Sequence, residues 1–276
     1  MKLSLVVVAT TIFTLTLGFY TLKVITETTK TPKTFTEWCQ QKASLPQETR
    51  HTVEVLLKVA ETQNCSQANQ TLINFTKLEL PLNKISDTAP LSALTNLNAL
   101  YLAENKISDI KPLSNLTNLN ALYLAENQIS NIKPLSNLTN LIILDLPVNK
   151  ISDIKPLSNL TKLTTLSLSQ NQINDIKPLS NLTNLNSLDL PLNQISNTAA
   201  LSNLTNLTYL GLSANQIRDI KPLSNLTNLT ELKLSVNKIS DIKPLSNLTK
   251  LTELDLSENP LISKQCPQKP ESICKF

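Results

Sequence analysis

The sequence predicts an α/β-type solenoid of nine stacked 22-residue coils, with a parallel sheet along one side. Three observations support this fold class. The stretch Leu94–Asn115 is repeated at once, nearly unchanged, as Leu116–Asn137. One asparagine of each unit recurs nine times with an unvarying step of 22 residues. Leucines two residues apart precede it, and this spacing points both side chains to the same face of a short strand. A fixed period of this kind is typical of stacked repeat architectures.

Each unit reads L-x-x-L-x-L-x-x-N-x-I, as in Leu97, Leu100, Leu102, Asn105 and Ile107. This is the signature of a leucine-rich repeat. One coil cannot bury its own leucines, but strands stacked at roughly 4.8 Å share an interior. The asparagine that ends each strand can bond backbone groups left unpaired by the turn. We therefore predict a structural asparagine ladder: Asn83, Asn105, Asn127, Asn149, Asn171, Asn193, Asn215, Asn237 and Asn259.

The segment that returns from each strand, typified by "SDIKPLSN", is predicted to form the convex face. Its proline rules out a long α-helix, so extended or 3₁₀ segments are expected there. A lysine beside each proline forms a basic column, which alone would favour nucleic-acid binding. Aspartates two residues before five of these lysines form an acidic column alongside. A self-compensating, solvated surface is the better interpretation, and no nucleic-acid partner is expected.

The 22-residue period and the wording "NLTNLxxLxLxxNxISDIKPL" closely resemble the internalin-type class of bacterial leucine-rich repeats. The resemblance covers residues 74–259. It implies a gently curved solenoid that binds other macromolecules on its concave sheet. The sequence has neither an LPxTG sorting signal nor an Ig-like domain after the repeats. Surface attachment and host invasion are therefore not implied.

The four cysteines lie outside the repeats and allow three pairings. Nine coils separate the two ends by roughly 40 Å, whereas a disulfide needs Cα atoms within about 7 Å. Only Cys39–Cys65 and Cys266–Cys274 meet this requirement, and four free thiols are the alternative. We predict a disulfide-stapled N-terminal cap over 34–72, repeats over 73–259 and a disulfide-stapled C-terminal cap over 260–276. The first cap should contain an amphipathic helix over 46–62, and the second should be an irregular loop.

Residues 1–33 are predicted to contain a signal peptide or membrane anchor followed by a polar linker. Lys2 precedes an uncharged run over residues 3–22. The run is long for a signal peptide and no A-x-A site follows it. Its length also fits a membrane span, although threonines dilute it. Both alternatives predict export, and the second predicts membrane association through residues 3–22.

No catalytic, metal or cofactor site is expected. His51 is the single histidine, and the sequence has no H-E-x-x-H or C-x-x-C spacing. With only Gly18 and Gly211, no glycine-rich phosphate loop is possible. Asp145 and Asp189 lie two strands apart, roughly 9.6 Å, which approaches the separation in an inverting glycosidase. An open, wet sheet should leave both carboxyl pKa values unshifted, so hydrolysis is not expected.

Residues that alternate with the strand leucines point away from the core and can vary without disturbing it. We predict that they form the binding face, with a tyrosine pair beside an acidic patch. The candidates are Tyr101, Tyr123, Asp145, Ser167, Asp189, Tyr209, Glu231 and Lys233. The predicted function is recognition of a protein or glycan by an exported monomer. A structural or spacing role in the cell envelope is the alternative.

Overall fold

A computed structural model describes residues 31–276 and shows one ten-stranded, wholly parallel sheet in chain order. Consecutive strands pair without any register shift, so that Lys77 lies opposite Ala99 and Ala99 opposite Ala121. The predicted solenoid is therefore confirmed, with one more strand than the nine repeats predict. The strands are β1 (Lys77–Glu79), β2 (Ala99–Tyr101), β3 (Ala121–Tyr123), β4 (Ile143–Asp145), β5 (Thr165–Ser167), β6 (Ser187–Asp189), β7 (Tyr209–Gly211), β8 (Glu231–Lys233), β9 (Glu253–Asp255) and β10 (Cys274–Lys275).

The central leucine of each repeat strand points into one continuous apolar interior. Leu100, Leu122 and Leu144 are fully buried, and so is the isoleucine two residues after each ladder asparagine from Asn83 to Asn237. Because every unit places the same side chains at the same height, identical leucines stack down the whole solenoid. The interior is therefore closed by neighbouring coils, as the repeat predicts.

The convex face consists of short 3₁₀ turns, as the prolines predict. Lys111–Asn115 and Lys155–Leu157 are examples, each with proline at its second residue. The aspartate before the turn caps it: the backbone N–H of Lys155 donates to Asp153 Oδ1 at 2.9 Å. Asn131 and Asn197 cap their turns in the same way. These convex carboxylates thus bond backbone N–H groups, and no lysine within residues 31–276 forms a salt bridge on this face.

The asparagine ladder connects neighbouring coils through their backbones. Asn149 Nδ2 donates to Leu124 O at 3.0 Å and to Leu146 O at 3.2 Å, and its Oδ1 accepts from Ile129 N at 2.9 Å. The same pattern recurs from Asn105 to Asn259. Asn83 differs, because β1 of its own coil is the first strand of the described residues. Its side chain donates to Pro81 O within its own turn.

Three helices form the N-terminal cap: α1 (Phe35–Gln40), α2 (Gln47–Val59) and α3 (Cys65–Ile73). Helix α2 is the predicted amphipathic helix, shorter than predicted by one residue at its start and three at its end. Helices α1 and α3 are not predicted by the sequence pattern, because they are too short to show a clear apolar period. Thr34 and Asn64 cap them through side-chain oxygens.

The cap is held to the first coil by apolar packing and hydrogen bonds, and a disulfide links two of its own helices. Phe35, Leu56 and Leu72 are fully buried and continuous with the leucine interior. The Thr52 hydroxyl donates to Asp87 O at 2.7 Å, and His51 Nε2 donates to Asn83 O at 2.6 Å. The Cys39–Cys65 disulfide, with Cα atoms 5.5 Å apart, joins α1 to α3.

The C-terminal cap differs from the predicted irregular loop, because its end adds a strand to the sheet. Cys274 and Lys275 pair in parallel with Leu254 and Asp255. The Leu256 N–H donates to Lys275 O at 2.8 Å, so β10 satisfies a backbone donor that would otherwise lie at the sheet edge. The Cys266–Cys274 disulfide, with a Cα separation of 5.8 Å, fixes this strand.

The predicted signal peptide or anchor lies outside the described residues, apart from the last part of its linker. From residue 31 onward, no helix has the length and apolar character needed to cross a membrane.

Candidate binding face

The in-register sheet brings the variable strand residues together in two columns on the concave face. One column comprises Glu79, Tyr101, Tyr123, Asp145, Ser167, Asp189, Gly211, Lys233 and Asp255, each opposite the next. The other comprises Lys77, Ala99, Ala121, Ile143, Thr165, Ser187, Tyr209, Glu231 and Glu253. The eight candidate residues of the sequence analysis all lie in these columns and are partly buried. That they bind a ligand stays a prediction.

Stacked tyrosines form the aromatic part of the face. The rings of Tyr101 and Tyr123 have centroids 4.3 Å apart and planes within 7° of parallel. Lys77 Nζ lies 5.0 Å from the centroid of the Tyr101 ring and 2.6 Å from Glu79 Oε1. Its hydrogen bond to Glu79 raises the pKa of the Lys77 ammonium. Burial raises the pKa of the Tyr123 hydroxyl. The two stacked rings thus form an uncharged aromatic surface, and the Lys77 ammonium lies over the ring of Tyr101.

The centre of the face is acidic. Burial raises the pKa of the Asp145 carboxyl; a hydrogen bond with Ser167 opposes this effect and the charge of Asp189 adds to it. Burial likewise raises the pKa of the Asp189 carboxyl, whose Oδ1 accepts from the Tyr209 hydroxyl at 3.0 Å. The expectation that an open sheet would leave both pKa values unshifted is therefore wrong. Neighbouring side chains on the same face withdraw both carboxylates from water.

Tyr209 and Gly211 set the position of the Asp189 carboxylate. Burial, together with the neighbouring Asp189 charge, raises the pKa of the Tyr209 hydroxyl to about 12, so this hydroxyl remains a donor at neutral pH. A Cβ atom at position 211 would lie 2.1 Å from Asp189 Oδ1 and 3.0 Å from the Tyr209 hydroxyl. The Asp189 carboxylate therefore occupies the space that a side chain would fill at Gly211, the one glycine of the repeats.

An ion-pair network forms the C-terminal end of the face. Glu253 Oε1 lies 2.5 Å from both Lys233 Nζ and Lys275 Nζ. These two hydrogen bonds lower the pKa of the Glu253 carboxyl to about 2. Glu253 belongs to one of the two columns, but Lys275 does not, because it lies after the repeats on β10, which the repeat pattern does not predict.

Within residues 31–276, no group of three or more His, Cys, Asp or Glu side chains could hold a metal ion. His51 lies in the N-terminal cap, where it bonds the first coil and does not contact the concave columns. What the face offers is shape, aromatic surface and charge.

Comparisons with known proteins agree with this architecture. Residues 95–137, 117–159, 139–181, 161–203 and 227–266 match the family described as leucine-rich repeats (two copies). Together these matches cover more than half of the chain. A comparison with curated protein sequences gives no match.

Solved structures of bacterial and plant proteins are similar to the chain. Internalin C2 of Listeria monocytogenes is 31% identical with a TM-score of 0.57, over 81% of this chain and 89% of that chain. A leucine-rich-repeat protein of Leptospira interrogans is 30% identical with a TM-score of 0.67, over 72% and 53% of the two chains. The plant peptide hormone receptor RGFR1, in complex with RGF2, is 28% identical with a TM-score of 0.58, over 66% and 32%.

The repeat register, the stapled caps and these similarities point to one group of proteins. The chain belongs to the leucine-rich-repeat family, and it is an internalin-like bacterial member of that family.

Proposed function

We propose that this protein is an exported, non-enzymatic recognition protein whose concave face binds a protein partner. The observation that carries the proposal is the Tyr101–Tyr123 stack, in register with Asp145 and followed by Asp189 on the same exposed sheet. Tyrosine combines a large apolar surface with a hydrogen-bonding tip, and buried tyrosines dominate many binding interfaces. The repeat leaves these positions free to vary, because they do not contribute to the leucine interior.

Several observations support the choice of a protein as ligand and of an exported location. The similar plant receptor is a peptide hormone receptor, solved in complex with RGF2. The sequence left a glycan open, but none of the similar structures supports one over a protein. Both disulfides support export, because such bonds persist in oxidising compartments. Residues 1–33 would then direct export as a signal peptide or anchor followed by a polar linker.

A monomer is the form in which we expect the protein to act. A terminal coil without a cap exposes the apolar interior of the solenoid. Such an exposed end can drive association with a second copy. Here helices α1–α3 cover the first coil, and β10 with its disulfide covers the last. A second copy is not needed to complete the core.

Site-specific photo-crosslinking in the producing cell tests the proposal. A benzophenone amino acid replaces Thr165, on the concave face, or Lys177, on the convex face, in the full-length protein. We expect discrete crosslinked protein adducts from position 165 and not from position 177. Adding Tyr101→Ala and Tyr123→Ala should reduce the adducts at least tenfold, since the aromatic surface is lost.

The alternative, a structural or spacing role, predicts a different result. Adduct yields at position 165 would then be unaffected by the tyrosine substitutions. Deletion of one complete 22-residue repeat, which shortens the solenoid, would have the larger effect on the cell. Unchanged adducts in the double tyrosine variant, with its circular dichroism spectrum also unchanged, would contradict the proposed recognition function.

A further inference from the structure

Among the described residues, the concave face has ion pairs at both ends but none at its centre. Lys77 pairs with Glu79 at one end, and Lys233 and Lys275 pair with Glu253 at the other. No lysine, arginine or histidine nitrogen of residues 31–276 lies within salt-bridge distance of Asp145 or Asp189. The centre of the face is therefore an anionic surface whose partner cations are not supplied by the described chain.

The geometry of the two carboxylates is set by the neighbouring strands. Asp145 lies opposite Ser167, and the Tyr209 hydroxyl holds Asp189 over the space left by Gly211. A partly buried carboxylate without a cation is unfavourable in the free protein, and a partner that brings a cation relieves this. Fixed carboxylates also lose little freedom when they bind.

The aromatic surface beside the acidic centre already contacts one cation of the protein itself, the Lys77 ammonium. Lys77 Nζ lies 5.0 Å above the Tyr101 ring, a distance at which the ring face attracts an ammonium group. The stacked Tyr123 ring lies next to Asp145 in register. A guanidinium group can lie against an aromatic ring while its N–H groups bond a carboxylate, and arginine combines these contacts better than lysine.

We propose that the centre of the concave face binds an extended basic segment of the protein partner, with one arginine or lysine side chain at each of Asp145 and Asp189. This inference rests on the proposed function and specifies its partner. Two strand spacings separate the carboxylate positions by roughly 9.6 Å. A polyproline II segment presents residues i and i+3 on one side at a spacing of about 9.3 Å. The preferred ligand therefore carries two cations three residues apart, with arginine on the Tyr123 side.

Peptide selection on the immobilised full-length protein tests the ligand class without assuming a partner. A library of random linear 12-residue peptides displayed on phage is selected on the protein and counter-selected on the Tyr101→Ala/Tyr123→Ala variant. We expect the surviving peptides to be enriched in arginine and lysine at i and i+3. Their Kd should rise at least tenfold on the Asp145→Asn/Asp189→Asn variant, which keeps side-chain volume but removes both charges.

Two further variants make the test specific. Gly211→Ala keeps both carboxylates but places a methyl group where Asp189 Oδ1 lies, so it should also weaken binding several-fold. Asp175→Asn removes one charge from the convex face and should leave the Kd unchanged, because Asn131 and Asn197 cap equivalent turns.

The outcomes separate this inference from the proposed function. Peptides that require Tyr101 and Tyr123 but lack basic residues, or that bind the Asp145→Asn/Asp189→Asn variant equally well, would overturn the basic-ligand inference and leave protein recognition standing. A selection that yields no peptide dependent on the concave face would also overturn it. Photo-crosslinking at position 165 would then decide the proposed function separately.

Discussion

At the scale of single residues, Asp145 and Asp189 are expected to reduce the stability of the free protein. Burial raises both folded-state pKa values above their usual range, so the folded state holds these protons more tightly than the unfolded state does. Stability therefore falls as pH rises through the unfolded and then the folded pKa. Residues that serve a binding face often oppose stability in this way.

The Asp145→Asn/Asp189→Asn variant should accordingly have a higher Tm than the wild type at neutral pH. The difference should shrink as pH falls and vanish below the unfolded pKa, where the wild-type carboxyls are protonated in both states. Thermal unfolding followed by circular dichroism across this pH range measures it. Asp175→Asn is the matched control and should not change Tm. A lower Tm for the double variant at neutral pH would contradict the burial effect.

A second residue-scale feature is the left-handed backbone before each ladder asparagine. From Leu82 to Glu258 these residues have φ values between 53° and 58°. Val148 and Val236 are β-branched, and such side chains fit this region poorly. Each valine is partly exposed, so the side chain contributes little to the core.

Val148→Gly should therefore stabilise the protein by about 0.5 kcal/mol, because release of the left-handed strain exceeds the entropic cost of glycine. Urea unfolding provides the measurement. Ile142→Gly is the control at a similarly exposed position without positive φ, and it should destabilise the protein. Loss of stability in both variants would argue against backbone strain at position 148.

The sequence predicts which residues share the concave face, but not how they contact each other. The 22-residue period alone places Tyr101 beside Tyr123 and Asp189 beside Gly211. The bond from Tyr209 to Asp189 crosses between two columns and depends on side-chain rotamers, which a repeat pattern does not specify. The role of Gly211 appears only when the neighbouring carboxylate is seen to occupy its Cβ position.

At the scale of structural elements, the asparagine ladder should contribute more to stability than any single exposed contact. Asn149 satisfies the buried Leu124 O and Ile129 N–H of the preceding coil, and it also bonds Leu146 O within its own coil. Asn83 bonds one carbonyl group within its own turn. The asparagine side chain therefore bonds more backbone groups at position 149 than at position 83.

Asn149→Ala should lower the free energy of unfolding by about 3–5 kcal/mol, because each buried group left unpaired costs about 1–3 kcal/mol. Asn83→Ala, the internal control, should cost less than about 1 kcal/mol. Urea denaturation of both variants gives the comparison. Equal losses would show that the amide bonds between coils are not what distinguishes Asn149.

In the two caps, only one of the helices and strands could be predicted from the sequence. Helix α2 follows from an apolar stripe, and Val53, Leu56 and Leu57 are buried as that stripe predicts. Helices α1 and α3 span six and nine residues, too few to display a helical period clearly. Strand β10 has two residues and lies in a proline-rich tail, so it forms through pairing with β9 and a disulfide, and not through local propensity.

At the scale of the whole molecule, an unbroken 22-residue register has two consequences. Identical leucines and asparagines stack into one interior and one ladder, which keeps the shape constant along the solenoid. Residues that alternate with the leucines are then displayed at fixed spacing on a single sheet. The proposed ligand site depends on this regularity, because Tyr123, Asp145 and Asp189 belong to three different repeats.

The distance between coils is the most direct test of the in-register stack. Genetically encoded spin labels, which leave the four disulfide-bonded cysteines untouched, can be placed at Lys77 and Thr165, four strands apart, or at Lys77 and Glu253, eight strands apart. Strand spacing predicts separations of roughly 19 Å and roughly 38 Å. Electron–electron double resonance should show two narrow distributions, the second at twice the distance of the first. Similar distances for both pairs would contradict a solenoid of stacked parallel strands.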